Sequence, residues 1–295
     1  MGERTAIGWT DHTFNPWWGC ERVSPACQFC YAEAFAKRTG HPVWGKSAPR
    51  RFFSDRHWNE PRKWHAKAER DGVRRRVFCA SMADVFEDRD DLVEHRERLF
   101  DLIAETPHLD WLLLTKRPNV AFRVFNEIGW QTGESPDVAW HGPSNVWIGT
   151  TVEDQQRAEE RIPWLTEIAS PVRFLSCEPL LGPVDLTSIN VLRQEPDDWP
   201  QLRVDGLAGA ATNGDVLPLS IDWVICGGES GPKHRPLDLA HARSLRDQCT
   251  ENENPIDGSS DPVPFFFKQV GGRTPAAGGD LLDGVEWKQF PGVAV

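Results

Sequence analysis

The sequence predicts an α/β protein, an open or closed (β/α) barrel, on two observations. Short apolar runs alternate with helix-period stretches along most of the 295 residues. Each run is continuous rather than alternating, as expected of strands buried on both faces of a parallel sheet. The runs lie at residues 77–81, 111–115, 146–150, 172–176, 223–226 and 264–268, after a short first strand near 13–17. Helical patterns fall at about 92–104, 119–128, 155–165 and 239–249, with Asp154 and Asp238 placed to cap the last two. One domain over 1–295 is expected. Its irregular parts are a long surface insertion at about 186–220, a polar loop at 251–262 and a Gly-rich tail from about 271, which Trp287 and Phe290 fold back onto the body.

Fourteen Trp and fifteen Phe supply ample core material. No apolar run of roughly 18 residues and no charged-then-apolar leader is seen, which speaks against membrane insertion or secretion and for a cytoplasmic setting. In a reducing compartment, seven cysteines read as thiols or metal ligands rather than as a disulfide framework. The net charge of −11 disfavours broad nucleic-acid binding, yet its distribution is uneven. Between Lys46 and Arg76, eleven basic residues face four acidic ones, a local +7, with Phe52, Phe53, Trp58 and Trp64 interleaved. That mixture suits backbone contact plus base stacking, with Arg74, Arg75 and Arg76 as candidate contacts; a solvated helix face is the alternative.

Cys20, Cys27 and Cys30 stand in the stretch Asn15-Pro-Trp-Trp-Gly-Cys20 through Cys27-Gln-Phe-Cys30-Tyr-Ala32. Three close thiols imply either a distant fourth ligand or a coordination position left open for chemistry. A zinc module would recruit His12 or His41 as the fourth ligand. Cys79, Cys177 and Cys226 lie in or just after apolar strands and read as packed thiols, a second cluster being the other reading, and Cys249 has no partner pattern.

Polar residues collect at the C-terminal ends of the strands, where parallel α/β folds gather ligands. Ser81 and Asp84 follow the second strand, Lys116 and Arg117 the third, Thr151 and Glu153 the fourth, Glu178 the fifth, and Gly227, Gly228 and Glu229 the sixth. Lys116 and Arg117 could clamp a carboxylate or phosphate of a substrate. Gly227 and Gly228 either let a ligand approach the backbone or make a tight turn.

The cysteine spacing Cys27-Gln-Phe-Cys30 after a first barrel strand resembles the end of the cluster motif of radical S-adenosylmethionine (SAM) enzymes. With Asn15-Pro-Trp-Trp-Gly-Cys20, Tyr31-Ala32, Ser81-Met-Ala-Asp84, Leu114-Thr-Lys-Arg-Pro118, Cys226-Gly-Gly-Glu-Ser-Gly231 and Phe265-Phe-Phe-Lys-Gln269, the chain resembles a phage-associated three-cysteine family of unknown function (phage Gp37/Gp68-like), distantly like spore photoproduct lyase. The pattern departs from the usual motif in placing six residues, Glu21 to Ala26, between the first two cysteines, where three are usual; Ser24-Pro25 offers a turn that would fold the longer loop over.

The resemblance implies a partial or full (β/α) barrel of radical-SAM type. It implies a 4Fe-4S cluster on Cys20, Cys27 and Cys30, whose fourth iron binds S-adenosylmethionine and generates a 5'-deoxyadenosyl radical. Ser81, Asp84, Thr151, Glu153, Glu178, Gly227, Gly228 and Glu229 are then the candidates for holding that cofactor. Phe29 would cover the cluster, and Tyr31, the sole tyrosine, would cap the site or pack the first helical turn. An electron donor of reductase or flavodoxin type, a nucleic-acid or nucleotide substrate and a dedicated partner protein are the expected partners. A cluster-binding protein without catalysis is the remaining alternative.

Overall fold

The computed structural model describes residues 5–132, 138–190, 203–211, 220–252, 262–274 and 277–292. Seven strands, β1 (His12–Thr13), β2 (Arg75–Cys79), β3 (Leu109–Thr115), β4 (Val146–Thr151), β5 (Val172–Cys177), β6 (Trp223–Gly227) and β7 (Phe265–Gln269), join in chain order into one parallel sheet. Among the described residues no ladder joins β7 to β1. The result is a seven-strand half-barrel, the partial form of the expected barrel.

Both faces of this sheet are buried, which is why its strands read as continuous apolar runs. Val77, Trp111, Leu113, Ile148, Leu175, Val224 and Phe265 belong to the large core between sheet and helices. Their alternates Phe78, Leu112, Trp147, Phe174, Trp223, Ile225 and Phe266 meet Trp9 in a second, largely aromatic core inside the curve. Outer helices are α1 (Tyr31–Arg38), α2 (Glu60–Asp71), α3 (Val93–Ala104), α4 (Pro118–Glu127), α5 (Gln155–Thr166) and α6 (Leu239–Thr250). Asp154 and Asp238 are N-caps as expected, accepting from Arg157 N at 3.0 Å and Ala240 N at 2.9 Å.

Three helices escaped the sequence reading, one of them the four-residue Asp55–Trp58. Helix α2 lies inside the basic segment, where charge drew attention away from Pro61, Trp64 and Ala68, buried at spacings of three and four, and from Gly72, which ends the helix in the left-handed region at φ 65°. Helix α1 begins directly at Cys30, with Ala32 and Ala36 as its buried stripe. The segment between β5 and β6 carries no helix in its described part. It forms a small antiparallel sheet of Ile189–Asn190, Arg203–Asp205 and Ala210–Ala211, docked on α5 where Asn190 donates to Glu159 at 2.8 Å. The rest of the expected insertion, 191–202 and 212–219, and 253–261 of the expected polar loop lie outside the described residues.

The tail folds back as expected. Phe267 N donates to Trp287 O at 2.8 Å, Lys288 pairs with Phe266 in an antiparallel bridge, and Phe290 joins the inner aromatic core. Arg76 of β2 lies 3.7 Å over the Phe290 ring, so the tail spans the open side of the half-barrel at its lower end. No helix among the described residues is long and apolar enough to cross a membrane.

Candidate metal centre at the barrel mouth

The three cysteines follow β1, which places them at the C-terminal end of the sheet. The six residues between Cys20 and Cys27 are shortened by a single 3-10 turn at Pro25–Cys27. Ser24 precedes it in extended backbone, and Cys27 N donates to Ser24 O at 3.0 Å, so Ser24-Pro25 supplies the expected turn. Cys30 then stands at the N-cap position of α1.

Three buried acid–arginine pairs fasten this loop to the rim. Asp84, after β2, pairs with Arg117 at 2.7 Å, and Arg117 donates onward to Glu21 O at 3.3 Å. Glu153, after β4 and fully buried, pairs with Arg161 of α5 at 2.8 Å and accepts from Ala26 N at 3.4 Å. Glu229, after β6, is held bidentately by Arg235 at 2.5 and 2.9 Å. Arg235 also donates to Pro25 O at 3.2 Å and lies 5.2 Å over the Phe29 ring. Three strands thus each send one ion pair to a different part of one loop.

Asp84, Glu153 and Glu229 were expected to grip a cofactor, and Arg117 a substrate. In the structure Asp84 pairs with Arg117, Glu153 with Arg161 and Glu229 with Arg235. Asp84 accepts further bonds from Thr115 Oγ1 at 2.7 Å and Lys116 N at 3.1 Å. Burial pushes its carboxyl up, but Arg117 and these donors outweigh it and hold Asp84 below the usual carboxylate range. Glu153 is depressed in the same way, burial being overcome by Arg161, Ser24 and Lys116.

Gly228 was a cofactor candidate, yet a Cβ there would stand 1.9 Å from Val270 O, so its small size serves backbone packing. Ser81 faces Asn15, whose amide reaches its hydroxyl at 3.2 Å, and its carbonyl accepts from Tyr31 Oη at 3.0 Å. Arg74, Arg75 and Arg76, expected near a substrate, precede or open β2 at the end of the sheet opposite the cysteines. There they pair with Asp110 and Asp11. Elsewhere in the basic segment Arg50 pairs with Glu87, Arg62 with Glu105 and Lys63 with Glu60, while Trp58 and Trp64 are buried.

Lys116, Thr151, Glu178, Gly227 and Lys268 remain facing the inside of the barrel mouth. Lys116 Nζ donates to Thr151 Oγ1 at 3.2 Å, and Lys268 pairs with Glu178. Sequence reasoning named all but Lys268 as site candidates and placed Lys268 only among the polar residues at the strand ends; its further signal is its place two residues after the inward Phe266 on β7. Lys116 is an electrostatic neighbour of all three cysteines. Burial and Asp84 push Cys20 up to about 12. Cys30 is raised mainly by burial. At Cys27 burial is outweighed by Lys116 and by hydrogen bonds from the Val23 and Ser24 backbone, so its thiol lies below the ordinary range. Tyr31 keeps 55% of its surface open and its hydroxyl donates to Ser81 O, while desolvation, Cys30 and Glu178 push its phenol up.

Among the described residues no three His, Cys, Asp or Glu side chains gather closely enough to hold one metal ion. His12 is stacked on Trp64, and His41 lies beside Arg51 at 3.0 Å and edge-on to Trp18, so neither joins the thiols. Cys79, Cys177, Cys226 and Cys249 are all buried, with Cys177 and Cys226 side by side in the β5–β6 register, and all four thiols are raised by burial.

Fold and site together define a parallel α/β half-barrel with three cysteines braced across its mouth. The chain belongs to DUF5131, a family of proteins of unknown function, which it matches over residues 4–291; this is the phage Gp37/Gp68-like family whose signature the sequence resembles. No curated protein matches the sequence. Among solved structures it is similar to a mutant of spore photoproduct lyase with bound AdoMet and dinucleoside spore photoproduct, at 13% identity and a TM-score of 0.40. The match covers 60% of this chain and 50% of that one, so the chain spans about half the length of that lyase.

Proposed function

We propose that the protein is a radical S-adenosylmethionine enzyme whose 4Fe-4S cluster is held by Cys20, Cys27 and Cys30. The observation that carries this reading is the placing of all three cysteines on one short loop and helix start at the barrel mouth, with Lys116 as their common cationic neighbour. When bound, such a cluster with its cofactor supplies one-electron cleavage of a carbon–sulfur bond.

This chain's own residues would do the rest. The braces Arg117, Glu153 and Arg235 hold the loop at fixed points, so the three thiols are ordered before any metal arrives. Phe29, with Arg235 packed on its face, lies between two ligands and limits water there. The apolar floor of Phe174, Ile225 and Phe266 closes the barrel below and keeps solvent from reaching the mouth through the sheet. Lys116 offsets thiolate charge, which favours the deprotonated ligands a cluster needs.

Anaerobic reconstitution with ferrous iron and sulfide is the test. The expected product is brown, with about four irons per chain, and releases 5'-deoxyadenosine from S-adenosylmethionine under strong reductant. Cys27→Ala is expected to abolish the absorbance. A colourless protein carrying one zinc overturns the reading.

A further inference from the structure

One surface beside the cysteine loop keeps cations that no acid has taken. A two-stranded ribbon of Trp17–Trp18 and Arg51–Phe52 sets Trp18 opposite Arg51, so these two side chains share a face. Trp17 is fully buried, while Trp18 points the other way and is half-buried. The Arg51 guanidinium lies 4.6 Å from the centre of the Trp18 ring and 5.1 Å from that of Phe53, and donates to His41 Nε2 at 3.0 Å. Phe35, His41 and Phe53 stand edge-on to Trp18 at 5.7, 5.5 and 5.8 Å. Arg38 covers Phe35 at 5.4 Å, and Phe53 continues to His57 at 4.4 Å. Guanidiniums and partly open rings therefore alternate along one strip.

Among the described residues no carboxylate lies within ion-pair distance of Arg38, Arg51 or the exposed Arg56, because the neighbouring acids are engaged elsewhere. Glu33 holds Arg22 and Lys37, Asp55 holds Arg98, and Glu87 holds Arg50. In a chain of net charge −11 this strip is a local exception. Guanidinium N–H groups beside half-buried rings match phosphates beside bases. Rings stack only on bases that are not already stacked in a duplex, which favours a single strand. An acidic protein segment would use the cations and leave the rings without a role.

The strip is joined to the thiols by backbone and by packing. Trp18 stands two residues before Cys20, and Phe35 lies on α1, which opens at Cys30. Cys20 bridges Trp44, and its carbonyl accepts from Gly45 N at 2.9 Å. Trp18, Phe35 and Cys30 all pack against one small core of Ala32, Ala36, Val43 and Met82.

We propose that this strip docks single-stranded nucleic acid, with bases against Trp18, Phe35 and Phe53 and phosphates on Arg38, Arg51 and Arg56. That the strand is also the substrate class for chemistry beside Cys20, Cys27 and Cys30 rests on the preceding reading; the binding itself does not.

Fluorescence anisotropy with short labelled oligonucleotides tests it, on the full chain both metal-free and loaded with iron and sulfide, over a range of salt. The probes are a mixed-sequence DNA strand, the RNA strand of the same sequence, an abasic DNA strand of equal length, the DNA duplex and polyglutamate. The single strand is expected to bind about tenfold or more tighter than the abasic strand or the duplex, and the tighter of DNA and RNA names the sugar. Arg38→Gln with Arg51→Gln is expected to weaken that binding about tenfold and to reduce the slope of log affinity against log salt by about 1.4, at about 0.7 per phosphate contact. Phe53→Ser is expected to weaken the single strand while leaving the abasic strand unchanged, which a purely structural role would not do. Arg75→Gln, at the opposite end of the sheet, is expected to change nothing. Arg38→Gln alone, at an exposed position, serves should the double variant fail to fold, with about half the slope change. The proposal is overturned by a parent that binds no strand, by an abasic strand or duplex bound as tightly as the single strand, or by arginine variants without effect. Polyglutamate bound as tightly, with the same arginine dependence, overturns it in favour of an acidic protein partner. Absorbance of the loaded protein reports the cluster separately. Strand binding without a cluster sinks the preceding reading alone, and a cluster without strand binding sinks only the docking surface.

Discussion

Arg235 donates to the carbonyl of Pro25 at 3.2 Å across 210 residues of sequence. That contact ties the segment after the sixth strand to the turn between the first two metal-ligand candidates. The six-residue spacing is folded by its own 3-10 turn and then held from outside by the barrel rim.

Replacing Arg235 with Met tests that brace. Glu229, 6% exposed, would lose its bidentate partner and be left as a buried charge. A loss of about 3 kcal/mol is expected in urea unfolding, together with faster loss of iron from reconstituted protein. A change under about 0.5 kcal/mol, within the ordinary range for surface substitutions, would mean the contact is incidental.

Acid should loosen the same rim. Asp84 and Glu153 have depressed carboxyls in the folded state, so they contribute stability that is fully present above the ordinary carboxylate range near ~4 and lost as pH falls through their folded values. Stability of metal-free protein, followed by chemical denaturation between neutral and acid pH, is expected to decline below about pH 4. Arg161→Met is expected to flatten the share due to Glu153. A parent and an Arg161→Met protein with parallel pH profiles would contradict the pairing.

The three thiols should also react unequally. Cys27 lies below the ordinary thiol range because Lys116 and backbone donors outweigh burial, while Cys20 is pushed up to about 12. In metal-free protein at neutral pH, iodoacetamide is expected to label Cys27 first, and Lys116→Met is expected to slow that labelling. Peptide mass spectrometry reads the order directly, and equal rates at Cys20 and Cys27 would count against the electrostatic assignment.

The glycine pair after β6 separates packing from ligand approach. Gly227→Ala meets only ordinary contacts, the nearest at 3.4 Å, and is expected to fold normally. Gly228→Ala would drive a methyl to 1.9 Å from Val270 O, a backbone atom that cannot swing aside, and is expected to cost about 1–3 kcal/mol or more. Matching thermal melts for the two variants would remove the packing role given to Gly228.

Much of the architecture was legible before folding. Six apolar runs marked six of the seven strands, and two aspartates marked helix starts, because strand burial and helix capping are set within a few neighbouring residues. Helix α2 was missed where a run of cations masked the spacing of Pro61, Trp64 and Ala68. The site was legible as a list of residue types and illegible as a list of roles. Asp84, Glu153, Glu178 and Glu229 look alike at strand ends, yet three are bound to arginines that brace the loop and one to a lysine inside the barrel.

By itself, then, the sequence determined the parallel strand–helix order, the three candidate thiolate ligands and the turn at Ser24-Pro25, all consequences of local spacing and local backbone preference. Only the tertiary structure decided which charges remain for a ligand. Arg74, Arg75 and Arg76 are paired at the opposite end of the sheet from the cysteines, and Arg117 is taken by Asp84, while Lys116 is left facing the three cysteines. Coulombic pairing depends on distance through space, and partners such as Arg235 and Pro25 are brought together by the closing of a sheet that no linear spacing records.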